Sequence, residues 1–285
     1  MIDALRNWAG KRLRRLRRSR VRLQRCDLIP AFRQFGELRA STLMVHSSLS
    51  ACGTIQGGAD TVIATLQEWI DRRRTLVMPT HTYCYPDSKG SVPVYDATST
   101  HSLVGQITER FWRKPGVSRS IHPTHSLAAA GPSAMEICAG HKDCDTPCGK
   151  GTPYERLIHG ECAVLMFGVT LNTYTFFHTA EDAAELPYLY EREPYFLKYR
   201  DASDAIREMK MWRHNMNIAR AFRPMDTWLE SRGLLKRARL GLSELLFIPN
   251  ALHAHNAVME ELKINPLLLV DESVRPSLAK YLQPV

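Results

Sequence analysis

LMVHSSLSACGTIQGGADTVIATLQEWIDRRRTLVMP, residues 43–79, decides the fold class. Positions 43–46 form a short apolar strand that ends in Ser47, Ser48 and Ser50, and a loop holding Gly53, Gly57 and Gly58 follows. Asp60 is the expected N-cap of the next helix. Val62, Ile63, Leu66, Trp69 and Ile70 then recur at spacings of three and four, the signature of a helix with one apolar face. TLVMP at 75–79 is a second strand, stopped by Pro79. Outward from this unit, Leu103, Ile107 and Phe111 mark another helix, SLAAAG at 126–131 another strand and AVLMF at 163–167 a fourth. The strands are continuously apolar rather than alternating, which requires a sheet covered on both faces, so the class is α/β.

Length and charge narrow the function classes. At 285 residues with 44% apolar side chains, the chain is long enough for a large core. Its net charge of +9 lies entirely in residues 1–25, where nine arginines and Lys11 face Asp3 alone. The remainder is electrically balanced, so no nucleic-acid partner is expected of the body. Residues 1–28 are read as a basic helical arm and 29–285 as the main domain. Leu13, Leu16 and Leu23 lie among the arginines, as in a helix resting on an anionic membrane surface, on the body or on a second subunit. No apolar run approaches the roughly 18–20 residues of a membrane-spanning helix, and the N-terminus has no signal-peptide core. Seven scattered cysteines are read as reduced thiols. The expected location is the cytoplasm, with the arm peripheral to the inner membrane surface.

Three polar clusters adjoin the apolar strands: HSSLS at 46–50, RSIHPTHS at 119–126 and NTYTFFHTAE at 172–181. Open α/β sheets place ligands at such strand ends. In the third cluster His178 and Glu181 share one face of an opening helix, where the carboxylate can hold the imidazole tautomer and stabilise its protonated form. CAGHKDCDTPC at 138–148 offers Cys138, His141, Cys144 and Cys148, and His46, His122 and His125 offer a second metal-type set. Neither has paired CxxC spacing, and no metal is expected.

These motifs resemble the antibiotic N-acetyltransferases typified by the aminoglycoside 3-N-acetyltransferases, which use acetyl-coenzyme A and are unrelated to the GNAT fold. The resemblance rests on MVHSSLSACGTIQGGADTVIATL (44–66), TLVMPTHTY (75–83), RSIHPTHSLAAAGP (119–132), PCGKGTPYERL (147–157) and VLMFGVTLNTYTFFHTAE (164–181), in the family's order. It extends more weakly to FIPNALHAHNAVMEELKINPLLL (247–269). It implies an α/β three-layer sandwich, a central mixed sheet covered by helices; the basic N-terminal helix expected to precede it lies outside the resemblance. It implies also that acetyl-coenzyme A is the co-substrate, an amino sugar the acceptor and His178 the catalytic base, with Glu181 as its orienting partner. Ser47, Ser48, Arg119, Ser120 and His125 are expected to bind the coenzyme, and His122, Asn172, Thr173, Arg213 and His214 the acceptor.

One departure bears on the acceptor. Some family members carry acidic residues shortly downstream, whereas this chain reads MKMWRHNMN at 209–217, with Arg213 and His214. An amino sugar linked to a nucleotide or a surface glycan is therefore expected, its negative part facing Arg213 and His214. Two other readings stand beside it: a true aminoglycoside-resistance enzyme, and a non-catalytic scaffold held at a membrane by its arm. Direct transfer to the amine is favoured over an acyl-enzyme on Ser47, Ser48 or Cys52, because no Gly-x-Ser-x-Gly elbow surrounds the serines.

Overall fold

A computed structural model describes residues 19–278. Its strands, in chain order, are β1 (Arg22–Leu23), β2 (Thr42–Ser47), β3 (Thr54–Ile55), β4 (Thr75–Pro79), β5 (Val94–Tyr95), β6 (Ser118–Arg119), β7 (Leu127–Ala130), β8 (Cys162–Phe167), β9 (Tyr195–Arg200), β10 (Ile206–Met211), β11 (Lys236–Leu240) and β12 (Ser243–Ile248). Seven of them form the central sheet in the order β11-β12-β8-β2-β4-β7-β6. β8, β2 and β4 run parallel at its centre, and the outer strands pair antiparallel, so the sheet is mixed, as expected.

The continuous apolar runs are explained by two cores, one on each face. Successive side chains of a strand point to opposite faces, and Leu43, Val45, Leu76, Met78, Ala163, Leu165 and Phe167 enter one core. Met44, Val77, Val164 and Met166 enter the other. Helices Arg25–Arg33, Gly58–Ile70 and Gln106–Trp112 cover the first face through residues such as Phe32, Ile63 and Phe111. Helices Pro153–His159, Phe176–Ala183, Met225–Ser231 and Ala251–Ile264 cover the second through Leu157, Phe177, Leu229 and Val258. The result is three layers.

Several local expectations need correction. The helix over 58–70 is capped by Gly57, whose φ of 75° sets the entry turn, not by Asp60; Asp60 lies inside the first turn and pairs with Lys114 at 2.7 Å. Leu103 lies outside helix Gln106–Trp112 and is exposed. Residues 1–18 of the expected arm lie outside the described residues. The chain joins the fold by Arg22, since β1 pairs in parallel with β3, and helix Arg25–Arg33 runs through position 28 with Leu28 fully buried. The small sheet β10-β9-β5 has no counterpart among the sequence expectations.

Polarity at one end of the central sheet follows from this topology. β2, β4 and β8 all finish at that end, and antiparallel β7 starts there, so Ser47, His81, the 168–175 turn and His125 meet across adjacent strands. Among the described residues, no helix is long and apolar enough to cross a membrane.

Candidate active site

Strand β8 delivers the central residue. After Phe167 the chain turns at Gly168 (φ 69°), makes a short 3-10 turn over Leu171–Thr173 and enters helix Phe176–Ala183. Ser48 N donates to Phe167 O at 2.8 Å, which holds the HSSLS loop beside this turn. His178, in the helix's first turn, borders a cleft of ≈ 200 Å³ together with His46, Ser47, His81, His125 and Tyr174.

His178 is oriented from behind. Its Nδ1 lies 2.7 Å from Glu181 Oε2, and Arg220 Nε donates to Glu181 Oε1 at 2.8 Å. Glu181 is fully buried. Burial opposes its charge, but the His178 contact and the Arg220 guanidinium outweigh that and hold its carboxyl below the usual range. An ionised carboxylate only accepts, so His178 Nδ1 is the donor to Glu181, and Nε2 is the ring nitrogen turned to other partners. The imidazole of His214 stacks on His178 with centroids 4.3 Å apart, and Phe222 meets the ring edge-on at 5.2 Å. Arg220 is itself fixed by donating through Nη1 to Ile218 O at 2.6 Å and Asn215 O at 3.1 Å.

The opposite wall is built of neutral imidazoles. Burial pushes His46 down to about 3, and it pushes His81 and His125 well below their usual value. Tyr154 donates its hydroxyl hydrogen to His125 O at 3.0 Å, so its oxygen accepts from His81 Nε2 at 2.8 Å. His81 Nδ1 is then an acceptor for the Tyr83 hydroxyl at 3.1 Å. His46 Nε2, Ser47 Oγ and the Tyr174 hydroxyl are buried at the cleft without a protein partner. Buried polar atoms are normally satisfied, so these three leave hydrogen-bonding capacity open on one cleft.

The arrangement is a carboxylate-held base facing hydrogen-bonding groups, and known proteins carry the same sequence pattern. A family model described as aminoglycoside 3-N-acetyltransferase matches residues 44–260. The chain belongs to the aminoglycoside 3-N-acetyltransferase family. Aminoglycoside N(3)-acetyltransferase IX of Micromonospora chalcea is 31% identical over 216 residues, covering 70% of this chain and 72% of that protein. Two solved structures share the fold. One is a mutant of aminoglycoside acetyltransferase AAC(3)-IVa in complex with a gentamicin, with TM-score 0.76, 24% identity and coverage of 87% of this chain and 92% of that one. The other is AAC-IIIb in binary complex with CoASH, with TM-score 0.75, 22% identity and coverage of 86% and 97%. This acetyltransferase is thus an acetyl-coenzyme A-dependent enzyme by family.

Of the residues singled out in the acetyltransferase sequence, Ser47, His125, Asn172, Thr173 and His178 border the cleft. Glu181 and His214 lie directly behind His178. Ser48 contributes backbone to the loop and is not on the cleft wall. Arg119 is elsewhere: Nε donates to Thr80 Oγ1, Nη2 to Thr80 O, and Nη1 to Ala97 O and Thr100 O, while the guanidinium lies 4.3 Å over Trp112. Ser120 Oγ accepts from Leu127 N and lies 2.9 Å from His141 Nδ1, on whose ring His122 stacks at 4.3 Å. Arg213 sits over Tyr85, 4.4 Å from the ring centre, and 3.5 Å from Glu191. Arg119, Ser120, His122 and Arg213 do not line this cleft; Arg119 borders a separate pocket with Ser118, Ile121 and His141, and His122 Nε2 is buried without a protein partner.

Four residues of the site lie outside the sequence expectations. His81 and Tyr83 lie in TLVMPTHTY, two residues apart after a strand, which is the signal that could have found them. Tyr174 sits within the NTYTFFHTAE cluster but carries no spacing that marks it. Arg220 has no local signal, because its contact spans 39 positions. Among the described residues no group of three or more His, Cys, Asp or Glu is placed to hold a metal ion; the cysteines at 138, 144 and 148 are separate free thiols.

Proposed function

We propose that the protein transfers the acetyl group of acetyl-coenzyme A to the amine of an amino sugar of low net charge, with His178 as general base. The observation that carries this reading is the buried Arg220–Glu181–His178 line ending on the cleft. The thioester supplies an activated acetyl group whose thiolate leaves without a strong acid. His178 Nε2 takes the proton that the attacking nitrogen loses as the amide forms, and Glu181 stabilises the imidazolium, with an expected contribution of about 10²–10⁴ in rate. His46 Nε2, Ser47 Oγ and Tyr174, unpartnered on the wall, suit the developing oxyanion and the polar edge of the coenzyme arm. The domain expected over 29–285 is read as the unit that does this.

The acceptor follows from the lining. The cleft residues include no carboxylate, lysine or arginine. The acidic residues that start near His178 are used internally, Glu181 by Arg220, Asp182 by the Tyr190 hydroxyl and Glu191 by Arg213. That favours neither a polycation such as gentamicin nor a phosphate-bearing sugar held by Arg213, and leaves a mono-amino sugar as the best fit. The test is thiol release from acetyl-coenzyme A over neutral glycosides of amino sugars, nucleotide-linked amino sugars and gentamicin-type aminoglycosides, each with and without His178→Ala. Turnover of the neutral group, lost by about 10² or more in the variant, is expected. Turnover confined to aminoglycosides would overturn the acceptor assignment, and activity surviving His178→Ala would overturn the base.

A further inference from the structure

Helix Phe176–Ala183 has a second cavity on its other side. His178 borders the cleft, whereas Thr179, Asp182 and Ala183 border a separate space of ≈ 200 Å³ closed by the helices that carry Glu155, His159 and His255. The two cavities share no lining residue. Two polar atoms on this second cavity have no partner: Thr179 Oγ1, in a residue 3% exposed, and His255 Nδ1, in a residue 8% exposed. A threonine in a helix commonly returns its hydroxyl to a carbonyl of the preceding turn, as Thr65 does to Thr61 O at 2.7 Å. Thr179 does not, and its hydroxyl is left for whatever occupies the cavity.

The charges around these atoms define what fits. Glu155, Asp182 and Glu185 contribute three carboxylates at the cavity, against Lys150. Asp182 is held close by receiving the Tyr190 hydroxyl and Lys150 N, and a side chain on Gly149 would collide with it. Glu155 receives Gly151 N at 2.6 Å on one oxygen. Each carboxylate keeps unused lone pairs, since two oxygens offer about four acceptor positions. His255 is neutral near pH 7, because burial pushes it down to about 4, with the nearby His159 acting the same way and Glu155 opposing. Its Nδ1 is therefore free to accept in the Nε2–H tautomer.

We propose that this cavity binds the ammonium group of a small primary amine, at a site distinct from the catalytic cleft. An ammonium has three donors and no acceptor. Thr179 Oγ1, His255 Nδ1 and a carboxylate of Glu155 or Asp182 supply three acceptors, and the surplus of negative charge selects a cation over an anion. A metal ion is the weaker occupant, because no set of three suitable ligands converges here among the described residues. The occupied site would brace the helix that carries His178 and Glu181 from the face opposite the cleft.

The experiment is a titration of the full chain, with histidine side chains isotopically labelled, using putrescine, its neutral analogue 1,4-butanediol, and acetate. Saturable shifts of the His255 and His159 ring resonances with putrescine alone are expected. Affinity should fall at least tenfold in Thr179→Val, which keeps the side-chain shape, and in Glu155→Gln, while acetyl-coenzyme A turnover persists in both. No saturable shift with putrescine would overturn the site, leaving an adventitious, water-filled cavity. Equal response to the diol would overturn the ammonium assignment, and so would unchanged affinity in Thr179→Val. A putrescine effect that vanishes only when the cleft is filled by coenzyme A would place the amine at His178 and overturn the second site.

Discussion

Arg220 Nε and Glu181 Oε1 form a 2.8 Å ion pair inside the protein, with the arginine side chain 10% exposed and the carboxylate 0%. The guanidinium keeps Glu181 charged in a place where burial disfavours charge, and Glu181 in turn fixes His178. Removing one partner of a buried pair leaves the other uncompensated, so Arg220→Ala should lower unfolding stability by about 3–5 kcal/mol in urea titrations.

The same pair makes a prediction about catalysis. In Arg220→Ala the carboxylate faces the imidazole unshared, which favours the protonated ring, so the acid limb of kcat/KM against pH should move to higher pH. Glu181→Gln removes the negative charge, and the limb should move to lower pH. Profiles of the two variants that shift together, or not at all, would contradict the positioning role of this line.

Acid should unfold the protein early. Burial lowers His46 and His141 to about 3 and holds His81, His122, His125 and His214 well below their ordinary value. Each is depressed in the folded state, so stability is complete above the unfolded value of 6.5 and declines as pH falls from there towards 3. Each imidazole contributes on the order of 1 kcal/mol per pH unit within that window. Urea midpoints should therefore be level from pH 8 to about 7 and drop steeply below about 6. A midpoint unchanged down to about pH 5 would sink the claim that these rings stay neutral in the fold.

Arg119 should behave as a structural residue. Its donors serve Thr80, Ala97 and Thr100, and truncation to methionine takes the donor from the Ala97 and Thr100 carbonyls, while Thr80 O keeps Ser126 Oγ at 2.8 Å. Arg119→Met should cost about 1–3 kcal/mol in stability while KM for acetyl-coenzyme A stays within about threefold. A large rise in KM with stability intact would return Arg119 to the coenzyme site.

How much of this is legible in the sequence depends on whether the signal is local. The 42–47, 75–79 and 162–167 strands are readable because they are buried on both faces and leave unbroken apolar runs. YFLKYR and IREMKM, the long strands of the small sheet, are not, because they face water on one side and alternate with charge. His178 and Glu181 are legible because one helical turn brings them together. RSIHPTHS is legible as a polar cluster but not in its geometry: Arg119 and Ser120 hydrogen-bond to Thr80, Ala97, Thr100, Leu127 and His141, and His125 alone of the segment lines the cleft beside His178. Arg220 depends on a contact that no sequence spacing encodes.

Gly168 ties the fold to the chemistry, and it yields the last prediction. Its φ of 69° is favourable for glycine, and a Cβ there would come within 3.0 Å of Ala51 Cβ and 3.1 Å of both Cys52 Sγ and Ser48 O. Gly168→Ala should therefore cost about 1–3 kcal/mol and push the 48–52 loop from the end of β8, lowering kcat through Ser47 and His46. Gly36 supplies the control, with φ 85° and nothing within 4 Å of its would-be Cβ. Gly36→Ala carries only the backbone cost, roughly 1 kcal/mol, and should leave kcat unchanged. Equal effects of the two substitutions on kcat, measured by thiol release, would show that the close approach at Gly168 does not position the catalytic loop.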